Sequence, residues 1–100
     1  MITRIWHGRT KAEDAEQYLK YIQVTGLADY ASVSGNISAK VLLKREGEIC
    51  HFFTISEWKD IDSIIKFAGN GFEKAKYYEE DKKYLLELEE NVNHYETYYS

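Results

Sequence analysis

Proline is absent from this chain, and cysteine and methionine each occur once. Without proline, every turn must be built from glycine, asparagine, aspartate or serine. A single thiol, Cys50, cannot close an internal disulfide, which favours a reducing, cytoplasmic setting. No apolar run approaches the roughly 20 residues that span a bilayer, and the opening MITRIWHGR lacks the apolar segment of a signal peptide. A basic surplus is missing too: 13 Lys and Arg face 17 Asp and Glu, for a net charge of −4. Such a chain is not built to neutralise phosphates, so nucleic acid is not an expected partner. No basic amphipathic stretch points to a membrane surface. There is no glycine-rich phosphate loop, no Cys-x-x-Cys and no His-Glu-x-x-His, so no metal site is expected.

What is present fits one small globular domain spanning residues 1–100. Hydrophobic residues make up 44% of it, and aromatics 15%, nine of them Tyr. Tyr has an apolar body and a polar tip, which suits a half-wet pocket or interface. A chain this short buries a modest fraction of its surface, and association with a second copy would bury more.

Alternation over residues 2 to 8 reads as a strand, with Ile2, Arg4 and Trp6 on one face and Thr3, Ile5 and His7 on the other. Thr10 and Glu13 match a capping box, which starts a helix carrying the stripe Ala15, Leu19 and Ile22. Gly26 ends it, or a further turn runs through Leu27 and Tyr30. Two alternating runs, 37–44 and 49–58, flank the polar turn Arg45-Glu46-Gly47-Glu48 and form a hairpin. Ile61, Ile64, Ile65 and Ala68 define a second helix after Asp60, with Gly69 at its end. Residues 70–90 are acidic and wrap the surface, with short helical pieces near Phe72 and Asp81. Residues 92–99 close the chain as a strand.

The order strand, helix, strand, strand, helix, strand is that of an α+β, ferredoxin-like βαββαβ fold. Two right-handed crossovers put both helices on one face of a four-stranded antiparallel sheet. The other face, with Trp6 and Phe53 expected on it, then needs a cover, and a second copy packing sheet to sheet provides one. The expected partner is therefore an identical chain.

The histidines His7, His51 and His94 all fall on predicted strands. In this strand order the first strand lies between the third and fourth, which places Arg4 and Trp6 between His51 and His94. An imidazole can take a proton from a phenol or an enol, or serve as a hydrogen-bond post. Arg4 can bind an anionic ligand or pair with Glu96 on the neighbouring strand. His7 is expected to face the other way. Trp58, Phe67 and Phe72 line a pocket mouth or seat the second helix on the sheet. Cys50 reads as a core residue, and Glu87, Glu89 and Glu90 as solvated surface.

The segments Arg4-Ile5-Trp6-His7-Gly8, Ser56-Glu57-Trp58, Phe67-Ala68-Gly69, Lys76-Tyr77-Tyr78 and Val92-Asn93-His94-Tyr95-Glu96 together resemble the antibiotic biosynthesis monooxygenase family over nearly the whole chain. The resemblance implies a dimeric α+β barrel. It implies oxidation of a small aromatic or quinol compound by molecular oxygen, without a tightly bound cofactor. Haem degradation, found in some relatives, does not carry over: Phe67 stands where they have Trp, and Lys76 near where they have the haem-ligand His. On this reading His94 or His51 is the base, and Arg4, Trp6, Phe53, Trp58 and Glu96 bind the substrate. The alternative is a non-catalytic, small-molecule-binding or stress-related dimeric domain of the same fold.

Overall fold

The computed structural model describes all residues from Met1 to Ser100. Its sheet has four strands, β1 (Ile2–Lys11), β2 (Asn36–Glu46), β3 (Ile49–Trp58) and β4 (Asn93–Glu96). They lie in the order β2-β3-β1-β4, and every neighbouring pair is antiparallel. This α+β arrangement is consistent with a ferredoxin-like fold. The helices are α1 (Ala15–Val24), α2 (Gly26–Ser32), α3 (Ile61–Ala68) and the short α4 (Asp81–Tyr84).

Pleating sorts the strand residues into two faces. Arg4, Trp6, Gly8 and Thr10 of β1 are buried, as are Cys50, Phe52, Thr54, Ser56 and Trp58 of β3. This is the helix-covered face. One core gathers Trp6, Ala15, Tyr18, Ile22, Cys50, Phe52, Leu85 and Val92. A second gathers Tyr30, Trp58, Ile64 and Phe67. Burying a side chain such as Phe52 stabilises the fold by roughly 1.5–3 kcal/mol. The opposite face carries Ile5, His7, Phe53 and Ile55, each half-buried, with Leu42 and Tyr95 at 46% and 52% exposure. Trp6 stands opposite Thr54 and His7 opposite Phe53, so Trp6 and Phe53 lie on different faces, not together as the sequence reading placed them.

Several local expectations yield to sheet pairing. The capping box does not form: β1 pairs with β3 through Lys11, and Thr10 is fully buried with its hydroxyl donating to the Lys11 carbonyl. A 3-10 turn, Ala12–Asp14, follows instead, and α1 begins at Ala15. Gly26 does not stop the helical path. A break at Thr25, whose hydroxyl donates to the Tyr21 carbonyl, passes it into α2. An irregularity between Asn36 and Ser38 turns Ile37 out to 53% exposure. Phe72 starts no helix, because residues near it bridge to the segment before β4. The last strand is shorter than 92–99, and Val92 is a core residue just ahead of it.

Gly8 fixes Trp6. A Cβ at position 8 would lie 2.5 Å from the indole ring and 3.0 Å from Leu85. The missing side chain lets the indole fold flat along its own strand. Gly8→Ala should therefore push Trp6 out of the core. Urea denaturation should show a loss of about 1–3 kcal/mol, as for overpacking elsewhere, with an altered Trp emission maximum. A variant as stable as the parent, with unchanged emission, would refute this dependence.

Candidate functional site

The chemically loaded groups split between the two faces of β1. On the helix-covered face, Arg4 is 1% exposed, although nothing in its strand neutralises it. One terminal nitrogen, Nη1, donates to the Phe72 carbonyl at 2.6 Å and lies 3.1 Å from Nε2 of His94. The other, Nη2, reaches the Lys74 carbonyl at 3.4 Å. Nε of Arg4 is buried with no hydrogen-bond partner. No carboxylate touches the guanidinium. Burial pulls its proton affinity down, opposed by the hydroxyls of Tyr30 and Tyr78.

Arg4 lines a cavity of about 30 Å³ together with Trp6, Tyr30, Phe67, Tyr77 and Tyr78, among others. That is room for no more than a water or two. The aromatic walls are held by specific bonds. Trp6 donates through Nε1 to the Tyr77 hydroxyl at 3.3 Å, and that hydroxyl donates to the Glu89 carbonyl at 2.5 Å. Tyr30 and Thr54 share a hydroxyl contact at 3.2 Å. Tyr18 donates to Asp81 at 2.8 Å, and Asp81 also accepts the Tyr78 backbone N–H at 2.5 Å. The Tyr78 hydroxyl donates to Asp29, which Lys76 also approaches at 3.5 Å. Burial, reinforced by the bonded aspartate, drives the Tyr18 and Tyr78 hydroxyls far above the phenol range. Burial also raises Asp81, against the pull of its two donors.

Register decides Arg4's neighbours. Arg4 stands opposite His94, whereas Glu96 stands opposite Ile2 and is exposed. The ion pair between Arg4 and Glu96 therefore does not form. A guanidinium has no lone pair to offer, so His94 accepts at Nε2 and carries its proton on Nδ1. Its ring meets Phe72 edge to face, with centroids 5.3 Å apart. Burial first, and then the Arg4 charge, lower its proton affinity against a smaller pull from Glu73.

His51 is not beside Arg4 and Trp6, because it points to the open face. There its Nδ1 lies 2.9 Å from His7 Nε2, while His7 Nδ1 donates to Glu89 at 2.6 Å. Glu46 stands 3.6 Å from the far nitrogen of His51. The imidazole centroids are 5.2 Å apart, the N···N separation plus one ring radius at each end, so the rings meet end to end. His7 packs on Phe53, and Arg9 is bound by Glu87. Glu87 and Glu89 are thus tied to β1 and are not simply solvated. Trp58 lines no cavity: it is fully buried between Tyr30 and Phe67, with Nε1 donating to Ser56 at 2.9 Å. Of the expected site residues, only Arg4, Trp6 and His94 come together.

Sequence reasoning missed Tyr30, Asp29, Lys76 and Asp81 as parts of this site. They share no local signal: Tyr30 and Asp29 lie on α2, Lys76 on the segment after α3 and Asp81 at the start of α4. No family model matches the chain, and no curated protein is significantly similar to it.

The lowered proton affinity of His94 has a consequence for stability. The folded state resists a proton that the unfolded chain binds near the ordinary value of 6.5. The unfolded state then holds more protons, so stability is present above that value and is lost as the pH falls through it. Thermal melts from pH 8 to 5 should fall more steeply for the parent than for His94→Gln, which keeps an acceptor for Arg4 without a titrating ring. Parallel curves would remove His94 from the pH response.

Proposed function

We propose that this chain binds a small aromatic compound bearing an acidic oxygen, and that the anion sits against Arg4. The observation that carries the reading is a buried guanidinium without a carboxylate, with one nitrogen unpaired, at the wall of an aromatic-lined cavity. A buried charge lacking an ionic partner is costly. A ligand that supplies the missing charge turns that cost into binding free energy. Phe67 and Trp6 offer flat apolar surface for a ring beside the charge. The motifs that resemble the antibiotic biosynthesis monooxygenase family support the same class of ligand.

The check is calorimetric titration with 1-naphthol, 1-naphthoate and naphthalene. At least one of the two acidic compounds should bind saturably and outcompete naphthalene, and Arg4→Gln should weaken it about tenfold or more, the scale of a charge-assisted bond. Equal binding of all three compounds, or no change in Arg4→Gln, would end the proposal.

A catalytic version rests on His94. If Arg4 turns onto the ligand's oxygen, it releases Nε2 of His94, which is then free to accept the phenolic or enolic proton. The resulting anion passes an electron to molecular oxygen, with no tightly bound cofactor required. His51 takes no part, since it lies on the other face.

The open face supports a second copy as partner. Ile5, Leu42, Phe53, Ile55 and Tyr95 line one shallow groove across all four strands. In a dimeric barrel two such faces close on each other and bury this surface. Sedimentation at micromolar concentration should give a species near twice 11.8 kDa. Leu42→Glu should shift it toward the monomer by placing like charges in the contact. A parent protein that sediments as a clean monomer would sink the dimer.

A further inference from the structure

The residues that cover Arg4 belong to a strap, residues 69–80, with no helix or strand in it. Its carbonyls, not its side chains, engage the guanidinium. Phe72 O and Lys74 O each take one of the two terminal nitrogens. One acceptor oxygen on each terminal nitrogen is the pairing a carboxylate makes with an arginine fork. A phenolate offers a single oxygen, which the two nitrogens would have to share. We infer that the ligand of this cavity carries a carboxylate on its aromatic ring, and that Phe72 O and Lys74 O are internal stand-ins it displaces. This inference rests on the reading of Arg4 as an anion seat and adds to it the class of anion and a route of entry.

The small free volume of the cavity makes displacement necessary. Its volume of about 30 Å³ admits no aromatic ring, so the cover must move before a ligand enters. The strap starts between Gly69, at φ 81°, and Gly71, and a Cβ at either would meet nothing within 4 Å. At that end the backbone is held by Gly69 N–H on the Ile65 carbonyl and Lys74 N–H on the Gly71 carbonyl, with no side chain packed over either glycine. Farther along it is pinned by a few bonds. Val92 N–H donates to the Glu73 carbonyl and Ala75 N–H to the Glu90 carbonyl, both at 2.8 Å. Asp29 of α2 latches Lys76 and the Tyr78 hydroxyl.

Charge favours the same ligand. Among the lining residues Arg4 and Lys76 are cationic, and the one carboxylate, Asp81, is already taken by Tyr18 and Tyr78. Lys76 and Arg4 flank the Phe67 ring at 4.7 Å and 5.5 Å from its centroid. Lys76 is already shared with Asp29 outside the lining, so a carboxylate lifted from water into this site meets the unpaired charge of Arg4 and no free acid.

Two measurements test the inference. In titrations of the parent protein, 1-naphthoate should bind about tenfold or more tightly than 1-naphthol at a pH where the naphthol is neutral. Asp29→Asn loosens the latch without touching Arg4, so it should raise naphthoate affinity several-fold. Hydrogen exchange followed by mass spectrometry or NMR supplies the second readout. Saturating naphthoate should speed exchange at the amides of Ala75 and Val92, which pin the strap, while slowing it in the core of β1. Naphthol binding as well as or better than naphthoate would overturn the carboxylate assignment and leave the anion seat standing. Slower exchange at Ala75 and Val92 would overturn the displacement. If neither compound binds, the anion seat itself falls and this inference with it.

Discussion

The burial of Arg4 sets the terms for half of this molecule. A guanidinium taken out of water must find acceptors, and here the middle of β1 offers none from its own sheet face except the His94 ring. The remaining acceptors come from the backbone of a segment that has no regular structure. So Arg4 organises the strap, the strap carries Tyr77 and Tyr78 over the cavity, and those tyrosines reach Trp6, Glu89 and Asp29. Each contact is modest by itself, at roughly 0.5–1.5 kcal/mol net. All of them lie on the one segment whose backbone accepts from Arg4. The arrangement also falls short of full satisfaction, because Nε remains alone. A site built only for stability would more simply hold an apolar side chain there.

The two cores explain how such a charge is tolerated. One gathers Trp6 and Phe52, the other Trp58 and Phe67, and Arg4 contacts both through Phe67 and the cavity that Trp6 lines. The apolar clusters contribute most of the burial. The seam between them is where polar groups collect: Thr54, Tyr30, Tyr78 and Asp81 all line it. A ligand entering this seam meets hydroxyls already bonded and rings already held. Strain on binding then falls on the strap and not on the sheet.

The parts of this fold that follow from pleating were legible in the sequence. Alternation located the first three strands, and the order of elements anticipated β1 between β3 and β4. That the closing strand flanks Arg4 followed from that order. What alternation leaves open is which of two mixed faces turns inward. Both faces of β1 carry an apolar and a polar residue, so Trp6 and Phe53 could be paired on paper while lying on opposite sides. Gly8 was the available clue, since only a residue without a side chain lets Trp6 fold inward beside it. Register was the second gap. A shift of two residues in β4 exchanges His94 for Glu96 opposite Arg4, and nothing in the strand's composition fixes that offset. The strap was out of reach, because its contribution to the site comes from carbonyl groups that every residue possesses.

The opposite face of β1 shows how one strand serves two surfaces joined by a shared residue. Glu89 holds His7 with its side chain on the open face, and with its carbonyl it accepts the Tyr77 hydroxyl from the cavity side. His7 in turn meets His51 and packs on Phe53, in the groove where a second copy would sit. Tyr77 is thus joined, through one residue's backbone and side chain, to the edge of that groove. The link runs through covalent structure and two hydrogen bonds, so it is short and stiff. A ligand that lifts the strap must either break the Tyr77 bond or pull Glu89 with it. In the first case the faces act independently. In the second, occupancy of the cavity shifts the histidine pair, and the open face becomes the place where binding is felt.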